Sequence, residues 1–213
     1  MKYWDRGWNP IIGCRRCSEG CENCLSLVSS KKRNPEFKEG QIFLNTKVFE
    51  RPIGQDGEFI CVGSQSDIFI EDATDEVLDT IFCYMESNEQ KQKYFVCTKR
   101  AERMLDYLQR RELKKKYIFA ISAENQKNLD KRWESLKQVP YPIALVLEPL
   151  LEDVKLTDEM IDAVSWIVIG EETGEKARQT PKDAIKNLIK SVDKRAPIFC
   201  TSKDSEYHEN PMS

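Results

Sequence analysis

Four cysteines fall within eleven residues, in the stretch Gly13-Cys14-Arg15-Arg16-Cys17-Ser18-Glu19-Gly20-Cys21-Glu22-Asn23-Cys24. The other four of the chain's eight (Cys61, Cys83, Cys97, Cys200) stand singly. So dense a set of thiols in one short loop points to metal binding, because thiolates are soft ligands for zinc and for iron–sulfur clusters. Two three-thiol spacings can be read: Cys14, Cys21 and Cys24 as C-x6-C-x2-C, or Cys17, Cys21 and Cys24 as C-x3-C-x2-C. Either set can hold three irons of a [4Fe–4S] cluster and leave the fourth open. The loop also admits a zinc knuckle using all four thiols, a four-cysteine electron-transfer cluster, or a disulfide pair. In the zinc reading two C-x2-C pairs are separated by only three residues, a short spacer for wrapping one ion.

The frame that must carry this loop is an ordinary globular one. With 213 residues, 40% hydrophobic and 32% charged, the chain fits one large domain that buries a full core without disulfide staples. Eight cysteines are too few for a secreted disulfide scaffold. No apolar run is long enough to span a bilayer, and MKYWDRGW lacks a signal-peptide core, so a reduced cytoplasmic protein is expected. A net charge of −3 gives no global attraction to nucleic acid. Local basic runs occur at Lys31-Lys32-Arg33 and Arg110-Arg111-Glu112-Leu113-Lys114-Lys115-Lys116; the second reads as a solvated helix end, with nucleic-acid contact as the alternative. His208, the only histidine, lies in a polar tail over 204–213 that is expected to be flexible and without a catalytic role.

Trp8-Asn9-Pro10-Ile11-Ile12 predicts a first strand running directly into the cysteine loop, and Leu25-Ser26-Leu27-Val28 opens a helix to about Lys32. QIFLN and KVFE, within an irregular stretch over 34–58, predict two brief strands. Beyond it, apolar runs at 59–62, 94–97, 117–121, 143–147, 166–169 and 197–200 read as strands buried on both faces. Helical stripes lie between them: Val77, Leu78, Ile81, Phe82 and Met85; Met104, Leu105 and Leu108; Leu129, Trp133 and Leu136. A short helix with Met160, Ile161 and Val164 is capped by Thr157, and one with Ile185, Leu188, Ile189 and Val192 follows the expected cap Thr180-Pro181. Strand–helix alternation predicts an α/β fold with parallel strands and outer helices. Each strand ends in small, hydroxylic or charged residues: Gly63-Ser64-Gln65-Ser66-Asp67, Thr98-Lys99-Arg100, Ser122-Ala123-Glu124-Asn125, Glu148-Pro149, Gly170-Glu171-Glu172-Thr173-Gly174 and Thr201-Ser202-Lys203. In α/β barrels this rim is where sites are built.

Over roughly residues 4–203 the chain resembles a family of radical S-adenosylmethionine (SAM)-like proteins of phages and mobile elements. Its members carry W-N-P-x-T-G-C-x6-C-x2-C-Y, matched from Trp8 to Cys24, and V-G-S-x-S-D-x-F, matched from Val62 to Phe69. L-T-K-R-x-x-R-M follows at Cys97–Met104, S-x-E-N at Ser122–Asn125, L-E-P-L-L at Leu147–Leu151 and G-G-E-S-G-x-x-A-R at Gly170–Arg178. The chain departs from the pattern at Ile12 for Thr, Leu25 for the aromatic, Glu171 for Gly and Thr173 for Ser, and it adds Cys17. The resemblance implies a partial (β/α)6 barrel of radical SAM type over 1–203, distantly like spore photoproduct lyase, a DNA-repair radical enzyme. It implies Cys14, Cys21 and Cys24 as cluster ligands, with Cys17 as an alternative or fourth. It places Ser64, Ser66 and Asp67 near the SAM amino group and Lys99 or Arg100 near its carboxylate. Ser122, Glu124 and Asn125 fall near the ribose, and Glu148, Glu171 and Glu172 near a substrate. The function implied is reductive cleavage of SAM to a 5′-deoxyadenosyl radical, using an external electron donor. The substrate would be a nucleic acid, a nucleoside or another phage-relevant molecule. The alternative is a non-enzymatic metal-binding protein on a degenerated barrel, acting through a protein partner.

Overall fold

The computed structural model describes residues 3–33, 38–89, 91–202 and 205–209. Seven parallel strands form one sheet: β1 (Arg6–Trp8), β4 (Phe59–Val62), β5 (Lys93–Thr98), β6 (Lys116–Ser122), β7 (Ile143–Leu147), β8 (Trp166–Ile169) and β9 (Ile198–Cys200), adjacent in that order. The sheet is curled into a half-barrel flanked by helices. Two further strands, β2 (Ile11–Ile12) and β3 (Phe43–Leu44), pair antiparallel outside it. The helices are α1 (Leu25–Arg33), α2 (Asp75–Ser87), α3 (Ala101–Leu108), α4 (Gln126–Leu136), α5 (Asp158–Ala163) and α6 (Ala184–Val192).

Strand alternation divides the core in two. Tyr94, Val96, Tyr117, Phe119, Ile121, Leu145, Leu147, Ile167 and Ile169 face the helices, where they meet Leu78, Ile81 and Met85 of α2, Met104 and Leu108 of α3, and Leu129 and Leu136 of α4. Each such side chain, fully buried, contributes ~1.5–3 kcal/mol. On the concave face Phe59, Phe95, Trp166 and Phe199 gather around Tyr3, whose ring meets Trp166 edge-on at 5.3 Å and Phe95 at 5.7 Å. That aromatic plug lies toward the starts of the strands. Ala120, Ala144 and Val146 keep the middle of the concave wall small, and Cys61 and Cys97 continue it toward the strand ends.

Four local expectations change. The first strand ends at Trp8, because Asn9 and Pro10 break the ladder; Ile11–Ile12 then leaves the sheet to pair with β3. KVFE forms a 3-10 turn over Thr46–Phe49 instead of a strand. The last helix begins at Ala184, with Asp183 at φ +65° before it, so Thr180-Pro181 is not its cap. In the expected tail, residues 205–209 run along β9: the Cys200 amide donates to Tyr207 O (2.8 Å), the Glu209 amide to Ile198 O (3.0 Å), and Trp166 Nε1 to Glu209 O (2.8 Å). Lys203, read as part of the rim, lies outside the described residues. The basic run after α3 is largely tied down, with Arg110 paired to Asp75 and Asp106 and Arg111 to Asp79. Thr157 caps α5 as expected, accepting from the Met160 amide at 3.2 Å. No helix among the described residues is long and apolar enough to cross a membrane.

Candidate functional site: a thiol-lined cavity at the strand ends

A cavity of about 460 Å³ opens at the C-terminal ends of the parallel strands. Cys14, Cys21 and Cys24 line it together with the Gly63–Asp67 turn, Lys99, Arg100, Ser122, Glu148, Glu171 and Glu172. Five candidates stand apart from the rest. Cys17 opens on a separate pocket beside Glu71, Asn128, Lys131 and Arg132, Glu124 and Asn125 are absent from the cavity wall, and Asp67 and Arg100, which do line it, are paired with each other. A larger groove of about 1110 Å³ runs along α6 and residues 205–209, but it carries none of the clustered thiols.

The cysteine loop is fastened from several βα connections. Glu124 is fully buried beneath it, so close that a side chain on Gly20 would meet the Glu124 carboxyl at 3.0 Å. Burial opposes its charge, but hydrogen bonds from Ser18 and Arg132 and the charges of Arg132 and Lys99 outweigh that and hold it below the usual carboxylate range. Arg132 Nη1 and Asn128 Nδ2 donate to its two oxygens at 3.0 and 2.9 Å. Asn125 caps α4 by accepting from the Asn128 amide (2.9 Å), and its Nδ2 reaches Glu19 Oε1 (2.8 Å). Arg100 forks onto Glu71 and gives one Nη2 hydrogen bond to Arg15 O at 3.0 Å. On the β8 side, Arg178 grips Glu172 (2.9 and 2.5 Å), Glu22 (3.0 Å) and Glu19 O (2.9 Å), while Asn23 Nδ2 donates to Glu172 at 2.9 Å. The Arg178 hydrogen bonds draw the Glu172 carboxyl down to about 2.

The Gly63–Asp67 turn is held from beneath. Gly63 sits at φ +73°, where a Cβ would press on Ser66 O at 2.8 Å, so glycine is required there. Asn9 Oδ1 accepts from the Gln65 amide (2.8 Å) and Ser64 Oγ (3.3 Å), and Ser66 Oγ donates to Ile11 O (2.8 Å). The Asp67 carboxylate accepts from Thr98 Oγ1 (2.7 Å), the Lys99 and Phe69 amides (3.0 Å each) and Arg100 Nη1 (3.2 Å). Lys99 differs: among the described residues its Nζ donates only to Ser122 Oγ, at 2.6 Å, within the cavity wall. Lys99 is therefore the lining cation left for a ligand.

The thiols are not equivalent. The neighbouring Cys17 thiol, with help from Lys99, holds Cys21 low, and Cys17 itself is raised by Cys21 and by burial. Burial raises Cys14. All eight cysteines are free, and among the described residues no three His, Cys, Asp or Glu side chains converge as ligands of a single ion. The donor set nevertheless fits a cluster in kind. Thiolates holding a cluster bind different irons, so they need to ring a shared volume instead of meeting at a point. Cys14, Cys21 and Cys24 line one; Cys17, beside Cys21, opens on the adjoining pocket.

Several contributors escaped the sequence reading. Asn9 and Asn23 carry no signal beyond their neighbours in the motif. Tyr3 and Trp4, which line the cavity ahead of β1, fall in no periodic pattern. Arg178 was legible as a motif residue, but its partner loop was not.

Fold and site together define an α/β half-barrel protein with a thiol-lined cavity at its strand ends. The chain belongs to the DUF5131 family, described as a protein of unknown function, which matches it over residues 1–211. No curated protein and no solved structure matches it.

Proposed function

We propose that the protein is a radical SAM-type iron–sulfur enzyme, with Cys14, Cys21 and Cys24 as the cluster ligands. One observation carries the reading: three thiols of a C-x6-C-x2-C loop, the Gly63–Asp67 turn and a lysine with no carboxylate partner among the described residues share one cavity at the ends of parallel strands. Bound there, a [4Fe–4S] cluster supplies the electron for reductive cleavage of SAM, and that electron comes from an external donor. The chain's own part is positioning. Lys99 takes the methionine carboxylate, because Arg100 already serves Asp67, Glu71 and Arg15. Ser122, bonded to Lys99, fixes that ammonium in place. The amino group meets main-chain oxygens of the 63–66 turn in this reading, since the Asp67 carboxylate is already saturated by four donor groups.

A second reading has its own support. Asp67, Arg100, Glu124 and Asn125 direct their polar groups into the protein, as a scaffold that keeps the loop for metal binding and a protein partner would. Anaerobic reconstitution with iron and sulfide separates the two. The enzyme reading expects a brown, oxygen-sensitive cluster whose spectrum changes with SAM, and 5′-deoxyadenosine on dithionite reduction. A cluster that assembles but neither binds nor cleaves SAM favours the scaffold, and stoichiometric zinc without iron uptake rejects the cluster altogether.

A further inference from the structure

We propose that Glu148 anchors a subsite for an organic cation, a flat substrate group bearing an amine, amidine or guanidine, three strands along from the Gly63–Asp67 turn. The proposal rests on reading the cavity as the reaction chamber and names the chemistry of what enters it.

The charge balance of the wall comes first. Of the lining acids, Asp67 is neutralised by Arg100 and Glu172 by Arg178. That leaves Lys99 on the β5 side and Glu148 and Glu171 on the β7–β8 side. Lys99 turns to Ser122, whose hydroxyl goes on to the main-chain oxygen of Glu148 (3.1 Å), not to its carboxylate. Among the described residues no cation lies within ion-pair reach of Glu148, although it is half-buried where Glu171 is exposed.

Three strand ends then aim this carboxyl. Thr201, after β9, donates its hydroxyl to Oε1 at 3.3 Å, and Oε2 has no hydrogen-bond partner among the described residues. Gly170, after β8, leaves the space: a methyl group there would overlap the Thr201 hydroxyl and lie 2.7 Å from Glu148 Cδ. Lys99 acts on this carboxylate only from beyond ion-pair distance, so in its partly dry wall the group still gains by taking a proton or a cation. Burial indeed pushes the Glu148 carboxyl above the usual range. Tyr3 and Trp4 line the same cavity, and aromatic side chains beside an acid suit a flat cation.

Benzamidine is the probe, added to the full chain without iron or SAM and followed by calorimetry and by the carboxyl ¹³C signals of labelled glutamate. Saturable one-site binding is expected, with one glutamate carboxyl signal shifting in step. Glu148→Gln, which keeps the shape, should weaken binding at least tenfold and remove that signal, while Glu175→Gln, an exposed acid off the cavity wall, changes affinity less than twofold. Absence of saturable binding, or equal binding by Glu148→Gln, overturns the proposal. So does a loss of SAM affinity in Glu148→Gln as large as the loss for benzamidine, because Glu148 would then belong to the cofactor site. Failure of the radical SAM reading itself shows separately, as wild-type protein that binds benzamidine but not SAM.

Discussion

Arg178→Ala isolates the latch that holds the cysteine loop to the end of β8. The substitution removes a bidentate pair to Glu172, whose side chain is 6% exposed, together with bonds to Glu19 O and Glu22. A charged hydrogen bond contributes about 1.5–3 kcal/mol, and the pair to Glu22, 62% exposed, adds at most ~1 kcal/mol. Glu172 keeps the Asn23 amide group and the main-chain amide of residue 178, so it is not stranded. The loss should therefore be about 2 kcal/mol, or roughly thirtyfold in the opening equilibrium of the loop. Hydrogen exchange at Cys21, Glu22 and Cys24, whose amides close the loop's own turns, reads that factor directly. Alkylation of Cys21 and Cys24 should accelerate in parallel, while exchange in β6 stays unchanged. The sign with pH follows from Glu172, whose carboxyl is lowered to about 2 from 4.5. Its contribution is complete above pH ~4.5 and is lost as pH falls toward 2, so protection should be flat from pH 8 to 5. Unchanged exchange at 21–24 in Arg178→Ala, or an equal rise in β6, refutes the latch.

Three other outcomes follow from the same contacts. Asp67→Asn should cost about 3–5 kcal/mol in a denaturant titration, since it strands the buried Arg100 and puts an amide donor opposite Thr98 and two main-chain amides; a native-like midpoint with selectively lost SAM binding would assign Asp67 to the cofactor instead. Lys99→Ala should weaken SAM binding tenfold or more at unchanged thermal midpoint, while Arg100→Ala lowers the midpoint by several degrees; calorimetry with SAM beside thermal melts checks this split. Cys17→Ala should retain iron on reconstitution, whereas Cys14→Ala, Cys21→Ala and Cys24→Ala lose it; iron retained by Cys14→Ala and lost by Cys17→Ala would select the C-x3-C-x2-C spacing.

The sheet was legible because its signal is local. Runs such as Tyr117–Ile121 and Ile143–Leu147 are apolar on both faces, and only a covered parallel strand tolerates that. The breaks were less so. Pro10 stops the first strand two residues before the apolar pair Ile11–Ile12 resumes in another sheet, and nothing in the pair itself tells which sheet it joins. The site divided along the same line. Spacing left Cys14 and Cys17 as alternatives beside Cys21 and Cys24, and the choice of Cys14 rested on the family resemblance. What Asp67, Glu124 and Asn125 touch depends on residues up to 106 positions away, as for Asn125 and Glu19, and spacing is silent on such pairs. A polar residue at a strand end serves a ligand or a neighbouring loop with the same chemistry, so residue type alone does not separate the two.

That division bears on what a metal would be for. In a zinc knuckle the ion gathers a loop that has little else to hold it, and its binding energy is folding energy. Here the loop is gripped through Arg16 by Glu39, through Arg15 O by Arg100, through Glu19 by Asn125 and Arg178, and through Asn23 by Glu172. Gly20 rests on the buried Glu124, and Gly13 on Gln41 O. Seven residues from outside the loop already fix its path, so folding leaves little for an ion to do. A sequence that invests buried charge in holding three thiols around an open cavity gains nothing in stability from leaving them there, because burial raises the cost of at least the Cys14 thiolate. The arrangement suits the proposed reactive cofactor, and among the described lining residues Lys99, Glu148 and Glu171 are the charges without an ion pair.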